Sequence, residues 1–183
     1  EILVLRESTI IDLRFNGVKW LIIRSLIRWT NSNSYYRIFQ TELMQKRFYR
    51  SVGVNRVSRH AVIPNPLDRK KITGGIKNDV GLELTTPYIL AVGRLIREKG
   101  FSQLIHAYKI HADKLPKLII IGEGSLRSLL LDEIKHLSLE DKVSLVGMKK
   151  NPYPYMKQAS LCVVSSHLEG FPNVLLEMLA CNP

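Results

Sequence analysis

Two carboxylates, Glu169 and Glu177, flank a turn and the start of a strongly apolar stretch, Gly170-Phe171-Pro172-Asn173-Val174-Leu175-Leu176. From Val174 to Ala180 every residue except Glu177 is apolar, the pattern of a helix buried on most sides. Pro172 suits the first helical position, where its missing N–H costs nothing. A lone carboxylate in such a helix is costly unless something hydrogen-bonds or pairs with it. A polar ligand at the helix start would be that partner, and Glu169 sits in the loop just before it. A helix start at residues 171–174 also favours an anion.

A second group of chemistry-bearing residues is Gly93-Arg94-Leu95-Ile96-Arg97-Glu98-Lys99-Gly100. Gly93 lets the backbone approach a ligand. Arg94 offers a planar fork matched to phosphate oxygens, and Lys99 a point charge. With the helix start at 171–174, these would hold a diphosphate. The plain alternative is that both cations decorate an ordinary loop. Gly122-Glu123-Gly124 is a third such turn. Neither glycine-rich stretch is a P-loop or a complete dinucleotide fingerprint, because the required Gly-Lys-Ser/Thr and the third glycine are missing. His167-Leu168-Glu169 lacks the Pro-Cys-x-x-Cys partner of a zinc deaminase. His106 and His111 are five apart and do not share a helix face as metal ligands would. His60 and His136 read as ordinary histidines, and no metal site is expected.

The elements that must position these residues follow from hydrophobic periodicity. Apolar runs at 88–92, 118–121, 143–146 and 161–165 read as strands. Helical patterns at about 99–112, 124 or 125–137, 153–158 and 172–180 alternate with them. Continuous apolar strands alternating with helices predict a parallel sheet covered on both faces, a doubly wound α/β domain. Its ligands bind beyond the carboxyl ends of the strands, where the three turns lie. Upstream, strands at 2–5, 35–39 and 61–63 and helices at 17–30 and, N-capped by Thr41, to about residue 50 are expected. Pro64-Asn65-Pro66 is a stiff connector, and the polar, Gly74-Gly75-containing stretch to Thr86 reads as linker. The expected division is 1–63, a linker 64–86, and a ligand-binding domain 87–183, with a cleft between the domains.

The chain has 183 residues and a net charge of +11, and its 45% of apolar residues excludes wholesale disorder. It starts with Glu1 and stops three residues beyond a helical pattern, so an internal fragment of a longer protein is expected. Residues 1–63 carry eleven Lys/Arg against four Asp/Glu. That basic half could meet an anionic membrane, a phosphorylated substrate or nucleic acid, or simply be solvated. The segment 20–29, WLIIRSLIRW, is too short to span a bilayer. It could lie in a membrane interface, or pack on its own domain with its arginines outward. Cys162 and Cys181 lack metal spacing and read as buried thiols in a reducing compartment.

Taken together, Gly93-Arg94-Leu95 with Glu98-Lys99-Gly100, then Gly122-Glu123-Gly124, then Glu169-x7-Glu177 resemble family 4 of the retaining nucleotide-sugar glycosyltransferases (glycosyl transferases group 1). The likeness runs over roughly residues 87–180, and Ile63-Pro64-Asn65-Pro66-Leu67-Asp68 is similar to that family's interdomain connection. The resemblance implies a GT-B architecture of two Rossmann-like doubly wound domains, both incomplete here, with 1–63 the end of the acceptor-side domain. It implies that Arg94 and Lys99 hold the donor diphosphate and stabilise the leaving group. Glu169 would face the transferred sugar, either as nucleophile or as stabiliser of an oxocarbenium-like charge. Gly170 and the N–H groups of Phe171, Asn173 and Val174 would line the donor, and Glu177 would accept from the ribose. The base would rest near Gly122–Gly124 and Gly147-Met148-Lys149, and Gly93 would also bind the donor.

The resemblance further implies a UDP-sugar as co-substrate, no metal and no other cofactor. The acceptor would be a glycan or lipid-linked glycan in polysaccharide or cell-envelope synthesis. Location would be cytoplasmic, with peripheral contact at the inner face of the cytoplasmic membrane through 17–30. Two readings compete with a transferase. A phosphorylase of the same fold lacks a lysine context for pyridoxal phosphate. A non-catalytic basic module binding nucleic acid or anionic surfaces lacks a recognisable motif and aromatic platform.

Overall fold

The structure is a computed structural model that describes residues 3–7, 17–31, 35–53, 59–77, 87–167 and 169–182. The expected strand start at Ile2, residues 78–86 of the expected linker, and Pro183 lie outside the described residues. Two compact units result, Glu1–Pro66 with Leu168–Pro172, and Leu67–His167 with Asn173–Pro183.

In the first unit β1 (Leu3–Arg6), β2 (Tyr35–Phe39) and β3 (His60–Val62) form a parallel sheet in that order. Helix α1 spans Gly17–Asn31 and α2 spans Glu42–Val52. The Thr41 side chain caps α2, accepting from the Met44 N–H at 3.1 Å. Gly53, at φ 74°, ends it in the left-handed conformation that glycine adopts without a Cβ penalty. Phe39, Met44, Phe48 and Val52 make the core, with Trp20 and Ile27 of α1 packed against it. Arg37 is buried in an ion pair with Glu7 at 2.5 Å, its guanidinium 4.6 Å from the Phe48 ring centroid.

The second unit holds α3 (Arg69–Lys77), β4 (Tyr88–Val92), α4 (Phe101–Lys109), β5 (Lys117–Ile121), α5 (Arg127–His136), β6 (Val143–Leu145), α6 (Tyr153–Gln158), β7 (Leu161–Val163) and α7 (Asn173–Cys181). Its four strands are parallel in the order β6-β5-β4-β7. Because successive strand residues point to opposite faces, β4 and β5 feed two cores. Ile89, Ala91, Leu118 and Ile120 pack under Phe101, Ile105 and Tyr108 of α4 and Leu130 and Ile134 of α5. Tyr88, Leu90, Ile119 and Ile121 pack under Ile72 of α3, Tyr153 and Met156 of α6, and Met178 and Cys181 of α7. The unbroken apolar runs are explained by this double coverage.

The order reverses between β4 and β7, whose following helices α4 and α7 lie on opposite faces. Their carboxyl ends therefore diverge into a crevice, the usual ligand position in such sheets. Three expectations need correction. The helix expected over 99–112 is split into a 3-10 turn, Arg97–Lys99, and α4, because Gly100 at φ 65° ends the turn. The helix expected from 124 or 125 starts at Arg127, since the Leu126 N–H is used by Leu95 O at 3.0 Å. In the stretch read as linker, α3 forms, with its Asp68 carboxylate accepting from Lys71 N–H at 2.9 Å. It docks because Ile72 is buried against α6 and α7.

The Tyr88 hydroxyl, at the base of the sheet, donates to Tyr155 O at 2.7 Å. Burial, followed by nearby Cys162 and Tyr155, pushes its pKa up to about 12. The unfolded chain would ionise this phenol near pH 10 while the fold keeps it protonated. Its contribution to stability is thus intact below pH 10 and is lost as pH rises toward 12. Urea unfolding from pH 9 to 12 is expected to show a falling midpoint, with a shallower decline in Tyr88→Phe.

Candidate functional site

The turns after β4 and β5 touch backbone to backbone. Gly93 N–H donates to Ile121 O at 3.0 Å, Leu95 N–H to Glu123 O at 2.9 Å, and Gly122 N–H to Gly147 O at 3.0 Å. These bonds continue the sheet pairing beyond its strands and bring the turns after β4, β5 and β6 together. A Cβ at Gly122 would lie 1.8 Å from Gly93 O, and one at Gly124 would lie 2.4 Å from Leu95 O. Only glycine allows so close an approach.

A pocket of about 170 Å³ opens over this junction. It is lined by Val92, Gly93 and Arg94 beyond β4, Ile121, Gly122 and Glu123 at β5, and Met148, Lys149 and Pro152 after β6. Gly93, Gly122 and Met148, expected to bind the donor, and Arg94, expected as a catalytic residue on its diphosphate, therefore meet in one place. Gly124 has a different part. It lies behind the lining, against the Leu95 backbone, and holds the turn in shape.

Lys99 is reached from the other side of β4. Its Cδ lies 3.7 Å from where a Gly93 Cβ would be, so its side chain runs back along the same turn. The Lys99 carbonyl accepts from Ser165 Oγ at 2.8 Å, and Glu98 O accepts from the His167 N–H at 2.9 Å. A Cβ at Gly100 would strike Ser165 O at 2.2 Å. The turn after β4 is thereby tied to the chain leaving β7. Ser165 and His167 were not singled out by sequence reasoning as ties of this kind, because a serine at a strand end carries no signal of its own.

Glu177 is half-buried on α7, and the Tyr153 hydroxyl makes a long hydrogen bond to its Oε1 at 3.5 Å. Burial first, then Glu177, raises the Tyr153 pKa, so the phenol stays a donor. The partner owed to the buried carboxylate is thus in part a tyrosine of the same unit, a residue the sequence reading had placed only in a helix. Tyr153 is itself seated by α3. A Cβ at Gly75 would lie 2.4 Å from the tyrosine Cδ2, and Asn151 Nδ2 donates to Gly75 O at 2.8 Å.

Asn173 and Val174 begin α7, whose helix starts one residue after Pro172 rather than at it. Glu169, Gly170, Phe171 and Pro172 group with the first unit, whereas Arg94, Lys99, Asn173, Val174 and Glu177 belong to the second. Among the described residues no three or more His, Cys, Asp or Glu gather to hold a metal ion. Burial pushes the Cys181 thiol up to about 11 and that of Cys162 upward too, the behaviour of unreactive packed cysteines.

Glycosyl transferases group 1 is the family whose pattern matches residues 75–182. The chain belongs to this family. Among its relatives is an N-acetylgalactosaminyltransferase of Campylobacter jejuni acting on an N-acetylgalactosamine-N,N'-diacetylbacillosaminyl-diphospho-undecaprenol. It is 42% identical over 121 residues, 66% of this chain and 32% of the relative. A teichuronic acid biosynthesis glycosyltransferase, TuaC of Bacillus subtilis, is 34% identical over 107 residues, 57% of this chain and 25% of the relative. HepE of Anabaena, solved in complex with UDP, superposes with a TM-score of 0.82 at 22% identity, over all of this chain and 52% of HepE. Sucrose-phosphate synthase of Thermosynechococcus elongatus does so with 0.74 at 20% identity, over all of this chain and 48% of that one. At such identities the likeness is one of fold, α/β with the parallel sheets of GT-B glycosyltransferases. The chain spans about a third of the C. jejuni relative and about half of HepE.

The family turn depends on glycine at the point of backbone contact. Gly122→Ala is expected to lower stability by about 2 kcal/mol or more, a fall of roughly 5 °C in Tm. Gly74→Ala, in α3 with open space around it, should instead raise stability by about 0.5–1 kcal/mol. Thermal unfolding of both variants checks the contrast.

Proposed function

We propose that this chain carries the donor half-site of a retaining glycosyltransferase that moves a sugar from a UDP-sugar to a glycan or lipid-linked acceptor in cell-envelope polysaccharide synthesis. The observation that carries it is the pocket at the carboxyl ends of β4, β5 and β6, with Arg94 on its lining and Lys99 alongside Gly93. Its volume is well below the roughly 300–1,000 Å³ that a drug-sized ligand needs, so it takes one part of a nucleotide, the base. Ribose and diphosphate then extend along the crevice between β4 and β7.

In this reading Glu177, oriented by Tyr153, accepts from the ribose hydroxyls. The diphosphate lies against Arg94, Lys99 and the backbone N–H groups at the start of α7. When the glycosidic bond to the leaving phosphate breaks, negative charge grows on the β-phosphate oxygens. Two cations and a helix N-terminus stabilise that charge, so no metal is required. Glu169, Gly170 and Phe171 serve the sugar, with Glu169 on the face where positive charge develops, as nucleophile or as stabiliser. UDP as the leaving group is supported by the UDP complexes of HepE, and the envelope role by TuaC and the C. jejuni relative. The protein works on the cytoplasmic side.

Calorimetric titration of the full chain with UDP, GDP and ADP tests this. UDP is expected to bind in the presence of EDTA. Lys99→Ala and Glu177→Ala should each weaken it about tenfold or more, the size of a lost charge-assisted hydrogen bond. Unchanged UDP affinity in both variants would overturn the assignment. Binding of nucleic acid alone, falling steeply with salt, would favour the basic-module reading.

A further inference from the structure

Much of the main chain at the floor of the pocket is already spent. The N–H groups of Gly93, Leu95 and Gly122 donate to the carbonyls of Ile121, Glu123 and Gly147, and Val146 N–H donates to Ile120 O. Val92, Ile121, Met148 and Pro152 give the lining apolar surface for a flat ring. Orientation in such a pocket comes from a few polar groups. The charged side chains on the lining are Arg94, already placed on the diphosphate, with Glu123 and Lys149.

Glu123 stands between two turns. Its Oε1 lies 3.4 Å from Arg127 Nη1 and 3.0 Å from where a Cβ on Gly147 would be. Gly147, at φ 74°, leaves the space that the carboxylate occupies. Arg127 is fixed in turn to the end of β6, its Nη2 donating to Leu145 O at 3.3 Å. A cation at the first position of α5 opposes the helix dipole, and a part-exposed ion pair adds little to stability. What Arg127 does is hold the carboxylate on the pocket wall. The pair is a charge contact rather than a hydrogen bond, because Nη1 is buried without a hydrogen-bond partner among the described residues. The acceptor sites of Glu123 are therefore open to a donor in the pocket. Lys149, half-buried on the same lining, can only donate.

We infer that Glu123, positioned by Arg127, selects the base: it accepts from a ring N–H that stands beside a carbonyl, and Lys149 donates to that carbonyl. Uracil and guanine present this edge. Cytosine and adenine place a bare ring nitrogen there, and its lone pair is repelled by a carboxylate. The inference rests on the reading of this pocket as the base subsite. It extends that reading from where the base lies to which bases are taken.

Calorimetric titration of the full chain with UDP, GDP, CDP and ADP tests it. UDP or GDP is expected to bind about tenfold or more tightly than CDP and ADP, the effect of leaving an acceptor facing a lone pair. Comparison of UDP with GDP decides which ring the pocket admits. Glu123→Gln is the deciding variant, because its amide both accepts and donates. Its part-exposed position lets the fold survive the swap. It should gain affinity for CDP and bring the UDP-to-CDP ratio to within about threefold. A merely structural Glu123 would lower all affinities alike and leave that ratio in place. Arg127→Gln should reduce the ratio too, while Arg127→Lys, which restores the charge beside Oε1, keeps most of it. CDP or ADP affinity equal to or above that for UDP and GDP overturns the inference, as does a ratio that Glu123→Gln leaves unaltered. In both cases UDP binding that still depends on Lys99 would keep the donor site. Binding of none of the four nucleotides overturns the base subsite and this inference with it.

Discussion

The peptide of Gly93 and that of Gly122 are pressed so close that no side chain fits between them, and the turns at the carboxyl ends of the central strands are organised around that contact. The contact exists because β4 and β5 are adjacent and parallel, with Val92 level with Ile121. Their chains leave the sheet side by side and must separate toward α4 and α5 within a few residues. Continuing the ladder by two or three more hydrogen bonds satisfies backbone groups that would otherwise be buried unpaired. The cost is steric, and glycines at 122 and 124 meet it. What results is a smooth floor of peptide groups, with Arg94 and Lys99 raised from one of its edges.

Beneath that floor the sheet is rigid for a different reason. Both of its faces are apolar and both are covered, so a one-residue slip in register would exchange the two cores without satisfying either. Tyr88, Leu90, Ile119 and Ile121 belong under α3, α6 and α7, and their neighbours belong under α4 and α5. The site therefore inherits its positions from packing energy stored elsewhere. The Tyr153–Glu177 pair shows the same dependence. Its tyrosine is placed by Asn151 and by Gly75, the latter on a segment whose composition looked like a linker.

Much of this was open to reading from residue pattern. The strands of the second unit are unbroken apolar runs, and each was placed within a residue or two. Thr41 announced the start of α2 by its side chain, and the alternation of strand and helix implied the parallel sheet. The boundaries that were missed were decided by single backbone events, Gly100 turning left-handed and the Leu126 N–H bonding to Leu95 O. Helix α3 was missed because two adjacent glycines within nine residues have poor intrinsic helix preference, and one buried isoleucine outweighs that only once α6 and α7 are present.

Composition and spacing alone determined the chemical vocabulary of the protein. They set two cations after one strand, two carboxylates around a helix start, glycines at the turns, and a basic, apolar helix near the beginning. Those features are local, written in neighbours a few positions apart. Which of them meet was decided only by tertiary structure. Gly93, Arg94, Gly122 and Met148 come from three separate turns and share one pocket because the strand order is β6-β5-β4-β7. Glu177 found Tyr153 for the same reason. Contacts between residues far apart in sequence depend on how layers stack, and no periodicity along the chain records that.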